Sequence, residues 1–398
     1  MSFRLIFMNS VLCIVFFAMN SIAGLSEDIK SLTGKQYARV VWGRGTHSNE
    51  FGFPDENYTS SQLLAGYDTE GGEITLQSSV GNYQRPLISK HGNFVIFSDV
   101  DSIAVYKAEW GTDSPRQKIA SGLAGCLWYD EAREKEYAYY AKDCGLVGEC
   151  DVYRVNINDT SEKEIVLDVP VAGINTVDGH WLTVTSDAKV ISSVWGWNIG
   201  IWPADIAQKK KLGNTVRGCW VTLPYDTVPK MLLLNMDHTA IRIFDYNLNY
   251  QINEIPTGKI DHLKFASYSN RILVCARGMN DEGSSEGGYI TMIRMNDSLT
   301  GIDNLSDTLR ISSTLTDGFP DAWLSDTPPL PVSIKYDEYQ KRRNMISSKS
   351  HGEVKAFTIR GRRIRRYRKA ELIKSAMRSD IVLYVNRDGI LVEKNIIH

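Results

Sequence analysis

The sequence predicts an all-β protein, a six-bladed β-propeller followed by a small C-terminal β-domain. The main observation is a set of short apolar segments, each with an aromatic, proline or leucine anchor. They recur at intervals of roughly 40 to 59 residues, near the length of one four-stranded blade. The six anchors are Pro86–Ile88, Cys126–Trp128, Gly173–Asn175, Cys219–Val221, Leu263–Phe265 and Ala322–Leu324.

The second repeat shows the four strands of a blade most clearly. Buried strands of four to eight residues, rich in Val, Ile and Phe and bounded by turn residues, have this pattern. Its predicted strands are Arg85–Ser89, Phe94–Asp99, Ser102–Trp110 and Arg116–Ala120. Second strands are predicted in later repeats at Trp181–Val184, Lys230–Leu234 and Arg271–Cys275.

The two ends of the repeat region predict how the ring closes. Ala38–Trp42, Leu63–Tyr67 and Glu73–Leu76 are three strands with no anchor before them, and Phe319–Leu324 is an anchor with no strands after it. Joining three strands to one completes a blade and leaves no open strand edge around the ring. We therefore expect residues 37–324 to form the propeller.

Residues 1–23 have the pattern of a signal peptide. Arg4 gives a positive start, Leu5–Met19 is almost wholly apolar, and Ser21–Ala23 places small residues where a signal peptidase cleaves. Cleavage is expected after Ala23, leaving no transmembrane segment. The alternative is an N-terminal membrane anchor, for which this apolar run is short.

Charge separates the chain into two parts. Gly24 to Pro331 carries 27 Lys or Arg against 40 Asp or Glu, whereas Val332 to the end carries 17 against 7. Between them, residues 325–331 form a proline-rich segment, predicted to be a stiff linker because proline fixes φ and lacks a donor. Residues 332–398 are then a basic C-terminal β-domain.

One repeat resembles those of TolB-like, WD-type propellers. Asn82–Ser98 has their strand, turn and second apolar strand, but Lys90-His91 stands where Pro-Asp is usual. The chain also resembles secreted bacterial propellers in which a Gly-Cys-Trp anchor, here Gly218–Trp220, precedes an Asp-His pair, here Asp237-His238. These resemblances imply the architecture and no particular activity.

The C-terminal region resembles the sorting domain of the type IX secretion system. It has a strand within Gly352–Ile364 and a hairpin over Ser379–Lys394 with an Asp-Gly turn. The usual Ser-Gly-Val/Ile-Tyr is replaced by Ser379–Val382. The resemblance implies the type IX secretion machinery as a partner and a secreted or cell-surface location, reached through the periplasm.

Seven of the ten residues in Arg360–Lys369 are Arg or Lys. Such a run can bind phosphate or another anionic polymer, or be a solvated face. Nucleic acid is not expected as a partner, because an exported protein meets little of it and the run has a single aromatic, Tyr367. Anionic polysaccharide or lipopolysaccharide is the better of the binding alternatives.

Five cysteines follow the signal segment, so at least one cannot pair within the chain. Cys144 and Cys150 flank a short loop and are either a disulfide or two free thiols. Cys126 and Cys219 begin anchor strands, where a small buried residue suits tight packing. No spacing typical of a metal site occurs, and no cofactor is expected.

Ligand-binding residues are expected beside the anchors, at the end of the central channel. Guanidinium, indole, imidazole and carboxylate groups near one axis suit a polar or sugar-like ligand, although the two indoles and Asp237 also have ordinary structural interpretations. The candidates are Arg85, Arg217, Trp220, Asp237, His238, His262, Asp321 and Trp323. A second aromatic cluster, Trp195, Trp197 and Trp202, suits either carbohydrate stacking or core packing.

Two functions remain open. The first is an exported, non-catalytic propeller that binds a saccharide or protein at its central channel and is delivered to the cell surface by its C-terminal domain. The second is a secreted carbohydrate-active enzyme, a polysaccharide lyase or glycoside hydrolase. The first is favoured, because the sequence shows no nucleophile elbow, no paired acids at an interpretable spacing and no His-x-His pair.

Overall fold

The structure is a computed structural model. It describes residues 24–45, 62–142, 150–171, 182–195, 198–203, 216–247, 250–277, 288–302, 307–313 and 317–330, and three C-terminal strands. The chain divides into two compact units, Met1–Val332 and Ser333–His398. Within the described ranges, no helix has the length and apolarity that crossing a lipid bilayer requires.

The first unit begins with a helix, α1 (24–33), and continues in β-strands. The first twelve are β1 (Tyr37–Arg44), β2 (Gln62–Asp68), β3 (Gly72–Gly81), β4 (Tyr83–Ile88), β5 (Phe94–Asp99), β6 (Ala104–Glu109), β7 (Gln117–Ser121), β8 (Leu123–Asp130), β9 (Lys135–Lys142), β10 (Cys150–Asn156), β11 (Lys163–Val171) and β12 (Thr183–Val184). The next twelve are β13 (Val190–Trp195), β14 (Asn198–Pro203), β15 (Val216–Arg217), β16 (Cys219–Thr222), β17 (Lys230–Leu234), β18 (Ala240–Asp245), β19 (Tyr250–Pro256), β20 (Ile260–Phe265), β21 (Ile272–Arg277), β22 (Tyr289–Arg294), β23 (Thr308–Arg310) and β24 (Asp317–Ser325).

These strands form antiparallel four-stranded sheets in the order of a propeller. Five sheets are built of strands at least three residues long: β24-β1-β2-β3, β4 to β7, β8 to β11, β16 to β19 and β20 to β23. A further sheet, β12 to β15, begins and ends with two-residue strands. The predicted all-β propeller is confirmed, whereas the full blades of the described residues number five against the six expected.

The predicted closure is confirmed. The last strand, β24, pairs antiparallel with β1, so that Val40 lies opposite Ala322 and Arg39 opposite Trp323. One sheet therefore contains strands from both ends of the propeller. A single blade joins the two ends of the ring by backbone hydrogen bonds.

One predicted anchor, Gly173–Asn175, lies outside the described residues. In the described residues, the sheet that follows β11 begins with β12, which was predicted as a second strand. The other five anchors lie in the innermost strands β4, β8, β16, β20 and β24. The indoles of the predicted Trp195, Trp197 and Trp202 cluster lie outside the described side chains.

Burial falls from the inside of each sheet to its outside. Every residue of the inner strand β4 is buried, whereas the outer strand β19 is exposed over most of its length. Inner strands are crowded by their neighbours on both faces, which explains why their sequences are apolar rather than strictly alternating. The anchor signal in the sequence is the result of this crowding.

Six apolar clusters fill the interfaces between neighbouring sheets. Val41 of the closing blade packs with Ile88 and Phe97 of the next sheet, for example. Even the shortened sheet contributes, because Val190 packs against the cluster of Val221 and its neighbours. Each interface buries apolar side chains from two sheets, so the ring is held together by burial.

Hydroxyl groups add a repeated polar contact between neighbouring sheets. Two residues of inner strands and one residue directly after an inner strand donate a backbone N–H to a Ser or Thr of the preceding sheet, each at 2.9 Å: Ala124 to Ser98, Phe265 to Thr222 and Leu223 to Thr183. A buried backbone N–H that has no partner in a neighbouring strand needs such an acceptor. These contacts fix the height of one inner strand against the next.

The helix α1 was not predicted. It packs on the cluster between the closing blade and the sheet β20 to β23, with Ile29 fully buried. The Ser26 hydroxyl lies 2.9 Å from the Tyr67 hydroxyl and donates to the carbonyl of Thr69 at 2.9 Å. Gly34 ends the helix with φ 67° and donates to the carbonyl of Lys30, as a left-handed C-cap requires.

The segment predicted as a linker contacts the propeller. Lys35 Nζ lies 2.6 Å from a carboxylate oxygen of Asp326, and the N–H of Leu330 donates to the carbonyl of His91 at 3.3 Å. In the second unit, β25 (Lys355–Thr358), β26 (Ile381–Val385) and β27 (Leu391–Ile396) form an antiparallel sheet in that order. The two strands of the predicted hairpin therefore pair, while its Asp-Gly turn and the basic run lie outside the described residues.

Candidate functional site

The inner strands share a local irregularity at one end. In four of them a residue other than glycine has a left-handed φ: Arg85, Trp220 and His262 at 55° and Phe319 at 52°. The strand ladder shifts register at each of these points. Such bulges re-aim side chains, and left-handed backbone in a bulky residue is held only where the surrounding structure fixes it.

A cavity lies where these bulges meet. Every inner strand contributes to its wall, with Arg85 from β4, Gly125 from β8, Thr183 from β12, Val221 from β16, His262 from β20 and Phe319 from β24. This arrangement places the cavity on the axis of the ring. We call it the axial cavity.

The axial cavity is narrow. Its volume is about 30 Å³. One water needs roughly 10 to 15 Å³ on that measure. The cavity therefore accepts a few water-sized groups, such as a carboxylate, rather than a whole sugar ring.

Three rings and a guanidinium pack together at the wall of the axial cavity. The Phe319 ring centroid lies 4.0 Å from that of His262 and 5.8 Å from the Arg85 guanidinium carbon. The Trp220 ring meets His262 edge to face at 4.3 Å. All four residues are buried, so this is a packed aromatic and cationic cluster.

Asp321 lies behind the axial cavity and ties three sheets together. Its carboxylate, which is fully buried, accepts from the N–H of Ile88 at 2.9 Å and from the N–H and hydroxyl of Ser267 at 3.1 and 2.6 Å. The Lys264 ammonium, whose residue lines the cavity, lies 3.1 Å from the same carboxylate. Asp321 therefore neutralises one cation of the cavity wall.

The opposite ends of the inner strands are joined across the axis. The Tyr268 hydroxyl, just after β20, donates to Glu136 at the start of β9, and the N–H of Lys90 donates to the same carboxylate at 2.7 Å. The N–H of Tyr129 donates to the Tyr225 hydroxyl at 3.2 Å. We call these five residues the channel floor.

The floor also holds a cation between aromatic rings. Lys90 Nζ lies 5.0 Å from the Tyr268 ring centroid and 5.4 Å from that of Tyr129. Burial raises the pKa of the Glu136 carboxyl to about 7, against the lowering effects of the Tyr268 hydroxyl and the Lys90 N–H. Its carboxylate is thus protonated more readily than an exposed one.

The sequence-predicted residues do not all meet. Arg85 and His262 line the axial cavity, Trp220 packs on His262, and Asp321 supports the wall from behind. Lys264 and Phe319 also line the cavity and were not predicted as site residues. They were missed because side chains of a regular strand alternate between its two faces, and a bulge shifts this alternation.

Two of the other predicted residues lie elsewhere. Trp323 packs against Gly92, where a Cβ would lie 2.8 Å from the indole, and its Nε1 donates to the carbonyl of Lys90 at 2.8 Å. It joins the closing blade to the β4–β5 turn. Arg217 lies on β15, which is the outer edge strand of its sheet, whereas β12 is the inner edge strand.

His238 and Asp237 lie in the turn between β17 and β18. Asp237 is exposed, whereas His238 is buried and its Nδ1 bonds Asp261 of β20. A second side-chain hydrogen bond joins His238 to Cys219. Cys219 was predicted as a buried packing residue, but it is partly exposed and takes part in this polar chain.

The sequence offers little signal for this chain of contacts. Asp261 stands 23 residues from His238 and belongs to another sheet, so spacing does not pair them. Cys126 and Cys275 are buried free thiols, and the predicted pair Cys144 and Cys150 is outside the described side chains. In the part of the chain that the structure describes, no group of three His, Cys, Asp or Glu is arranged to hold a metal ion.

Comparison with known proteins identifies the fold. No protein-family model and no curated protein matches the chain. Among solved structures, TolB from Acinetobacter baumannii is similar with a TM-score of 0.50 and 19% identity, covering 74% of this chain and 69% of that one. A nidogen–laminin complex aligns with a TM-score of 0.47 and 6% identity over 73% of this chain and 100% of that one. The chain therefore has a β-propeller fold similar to that of TolB.

We expect Asp321→Ala to destabilise the propeller by about 3 to 5 kcal/mol, because it leaves the Lys264 charge and two backbone donors without their acceptor. Urea unfolding followed by tryptophan fluorescence measures the loss. Asp326→Ala is the matched control, since Asp326 is 61% exposed and pairs with Lys35 at the surface, which is worth about 1 kcal/mol or less. Equal losses in the two variants would contradict the bridging role of Asp321.

We expect stability to fall as pH rises from 4.5 to 7, because the folded state holds the Glu136 proton more tightly than the unfolded state. The raised folded pKa means that this stabilisation is complete below the unfolded value of 4.5 and is lost by about pH 7. The loss amounts to about 3 kcal/mol over the interval.

Urea unfolding at intervals of pH, in the parent and in Glu136→Gln, measures this effect. The amide keeps an oxygen for Tyr268 and cannot ionise, so the difference between the two proteins isolates Glu136 from other titrating groups. Parallel stability curves in the two proteins would show that Glu136 does not titrate in this range.

Proposed function

We propose that the protein is an exported, non-catalytic binding propeller that holds a saccharide or protein ligand at the mouth of its axial cavity. The supporting observation is the cavity wall itself, to which all the inner strands contribute. The backbone of a site built from every sheet is held in place by the hydrogen bonds of those sheets. Rigid, largely pre-formed concave sites are typical of binding sites.

The charge of the wall indicates which group of the ligand enters. Arg85 supplies a buried guanidinium, His262 lies beside it, and Lys264 is balanced by Asp321. A guanidinium binds carboxylates in a bidentate manner. The narrow volume admits such a group but not a ring, so the ligand presents a carboxylate at the cavity and rests its remaining surface on the surrounding turns.

Both ligand classes contain such a group. An acidic saccharide presents the carboxylate of a uronic acid, and a protein presents an acidic side chain or its C-terminus. The alternative function, a polysaccharide lyase or glycoside hydrolase, needs acidic or basic residues placed to act on the bound sugar. Product analysis on a bound saccharide separates binding from catalysis.

We expect isothermal titration calorimetry to detect binding of either oligogalacturonate or an aspartate-rich peptide, and Arg85→Met to weaken that binding at least tenfold. A tenfold loss corresponds to about 1.4 kcal/mol. Arg133→Met is the matched control, because Arg133 is 61% exposed in a surface turn. Circular dichroism checks that both variants fold.

The two probes distinguish the ligand classes, and each result has a consequence. Binding that Arg85→Met leaves unchanged, or binding of neither probe, would overturn the proposal. If the oligogalacturonate is shortened during incubation, the enzyme alternative replaces it.

The proposal for export rests on the two ends of the chain. Residues 1–23 have the features of a signal peptide, and the C-terminal unit has the three antiparallel strands β25, β26 and β27. The sequence of this unit resembles the sorting domain of the type IX system, which is also a small β-domain. We infer that the C-terminal unit directs the propeller through the periplasm to the cell surface.

We expect deletion of residues 352–398 to leave the propeller folded but retained in the periplasm of a host with a type IX system. Cell fractionation and surface protease digestion measure its location, and the full chain in the same host is the control. N-terminal sequencing of the exported protein should begin at Gly24. Surface delivery of the truncated chain would refute the sorting role.

A further inference from the structure

Three side chains that the channel site does not use meet between two sheets. Cys219 is the first residue of β16, His238 lies in the β17–β18 turn of the same sheet, and Asp261 is the second residue of β20 in the next sheet. The turn is anchored to that sheet, because the N–H of Ile260 donates to the carbonyl of His238 at 2.9 Å. The fold therefore holds the imidazole at a fixed place between the other two groups.

The contacts are ordered as thiol, imidazole and carboxylate. His238 Nδ1 bonds Oδ1 of Asp261, and the Cys219 side chain also bonds the His238 side chain. Asp261 thus orients the ring. This is the arrangement of an activated nucleophile, recognised by geometry and not by sequence order.

The imidazole and the carboxylate are more buried than the thiol. His238 and Asp261 are 4% and 7% exposed, whereas Cys219 is only partly buried. The base and its orienting group are shielded from water, while the nucleophile has access to it. Cys126 and Cys275, in contrast, are fully buried thiols in apolar clusters.

The pKa of His238 is raised despite its burial. Burial lowers the pKa of His238, but the hydrogen bonds to Asp261 and Cys219 outweigh it and raise that pKa to about 9. The imidazole is therefore a cation at neutral pH. Burial raises the pKa of Cys126 and of Cys275 to about 12, so these two are inert thiols within the same protein.

We propose that Cys219, His238 and Asp261 form a nucleophilic thiol site that accepts acyl groups from esters or thioesters. The Cys219 sulfur attacks the acyl carbon and forms a C–S bond, the bond to the alcohol or thiol of the donor breaks, and that leaving group takes the proton of the imidazolium. Water then hydrolyses the acyl-cysteine to a free acid and restores the thiol. Cys219 and His238 are the reacting groups, and Asp261 is a positioning residue.

This site does not depend on the ligand proposed for the channel, although it is adjacent in sequence. Trp220 follows Cys219 and contacts His262, which follows Asp261 and lines the axial cavity. The thiol site is therefore a separate reactive centre beside the binding site. Loss of channel binding in Arg85→Met should leave its reactivity in place.

The test uses the full chain and p-nitrophenyl acetate at pH 7. We expect a rapid release of one p-nitrophenolate per chain, with the acetyl group found by mass spectrometry on the peptide that contains Cys219. Cys219→Ser should abolish this phase, and His238→Gln should slow it at least tenfold. Asp261→Asn should slow it less, because the imidazole is kept but its orientation is weakened.

Two controls separate activation from a structural role. The acetylation rate of Cys219 in the urea-unfolded chain gives the reactivity of an ordinary thiol, and the fully buried Cys126 and Cys275 should remain unmodified in the folded chain. In the His238→Gln variant the rate should rise steeply between pH 7 and pH 9.5, whereas the parent rate should change little. A folded-state rate no greater than the unfolded one, or one unchanged by His238→Gln, would overturn the proposal.

Discussion

The closed ring depends on one buried carboxylate. Asp321 lies on the strand that joins the two ends of the propeller, and it also bonds the sheets on either side through Ile88 and Ser267. A charge in that position is tolerated only because Lys264 and three donors surround it. Strand pairing closes one blade, and Asp321 sets the position of that blade against both neighbours. The strand β24 therefore determines both the closure of the ring and the geometry of the channel.

The inner strands show what this closure requires. Sheets that converge on an axis leave too little room for regular strands, and the left-handed bulges at Arg85, Trp220 and His262 relieve the crowding at one end. At the other end Tyr268 and Glu136 bond across the ring. One end of the channel is therefore filled by hydrogen-bonded side chains, and at the other end re-aimed side chains line the axial cavity. The asymmetry follows from chain direction, since every inner strand begins at the same end.

Sequence predicted the parts that depend on repetition. The anchors and the three-plus-one closure follow from apolar periodicity, and they led to Arg85 and His262, which line the axial cavity. The prediction failed where the pattern is locally broken. Two-residue β12 gave no anchor signal, and Lys264 and Phe319 were missed because a bulge reverses the alternation. The pairing of His238 with Asp261 joins two sheets, so no local spacing contains it.

The ion pairs of the propeller distinguish a reactive site from a structural one. Six aspartates are buried in the part of the chain that the structure describes. Five of them pair with a fixed cation: Asp68 with Arg39, Asp99 with Arg116, Asp245 with Lys230, Asp317 with Arg44 and Asp321 with Lys264. Asp261 pairs instead with an imidazole. A lysine or arginine would neutralise Asp261 equally well, but only an imidazole has a second nitrogen that can exchange a proton with Cys219. The choice of histidine at this one pair is what a proton-transferring role requires and what simple charge compensation does not.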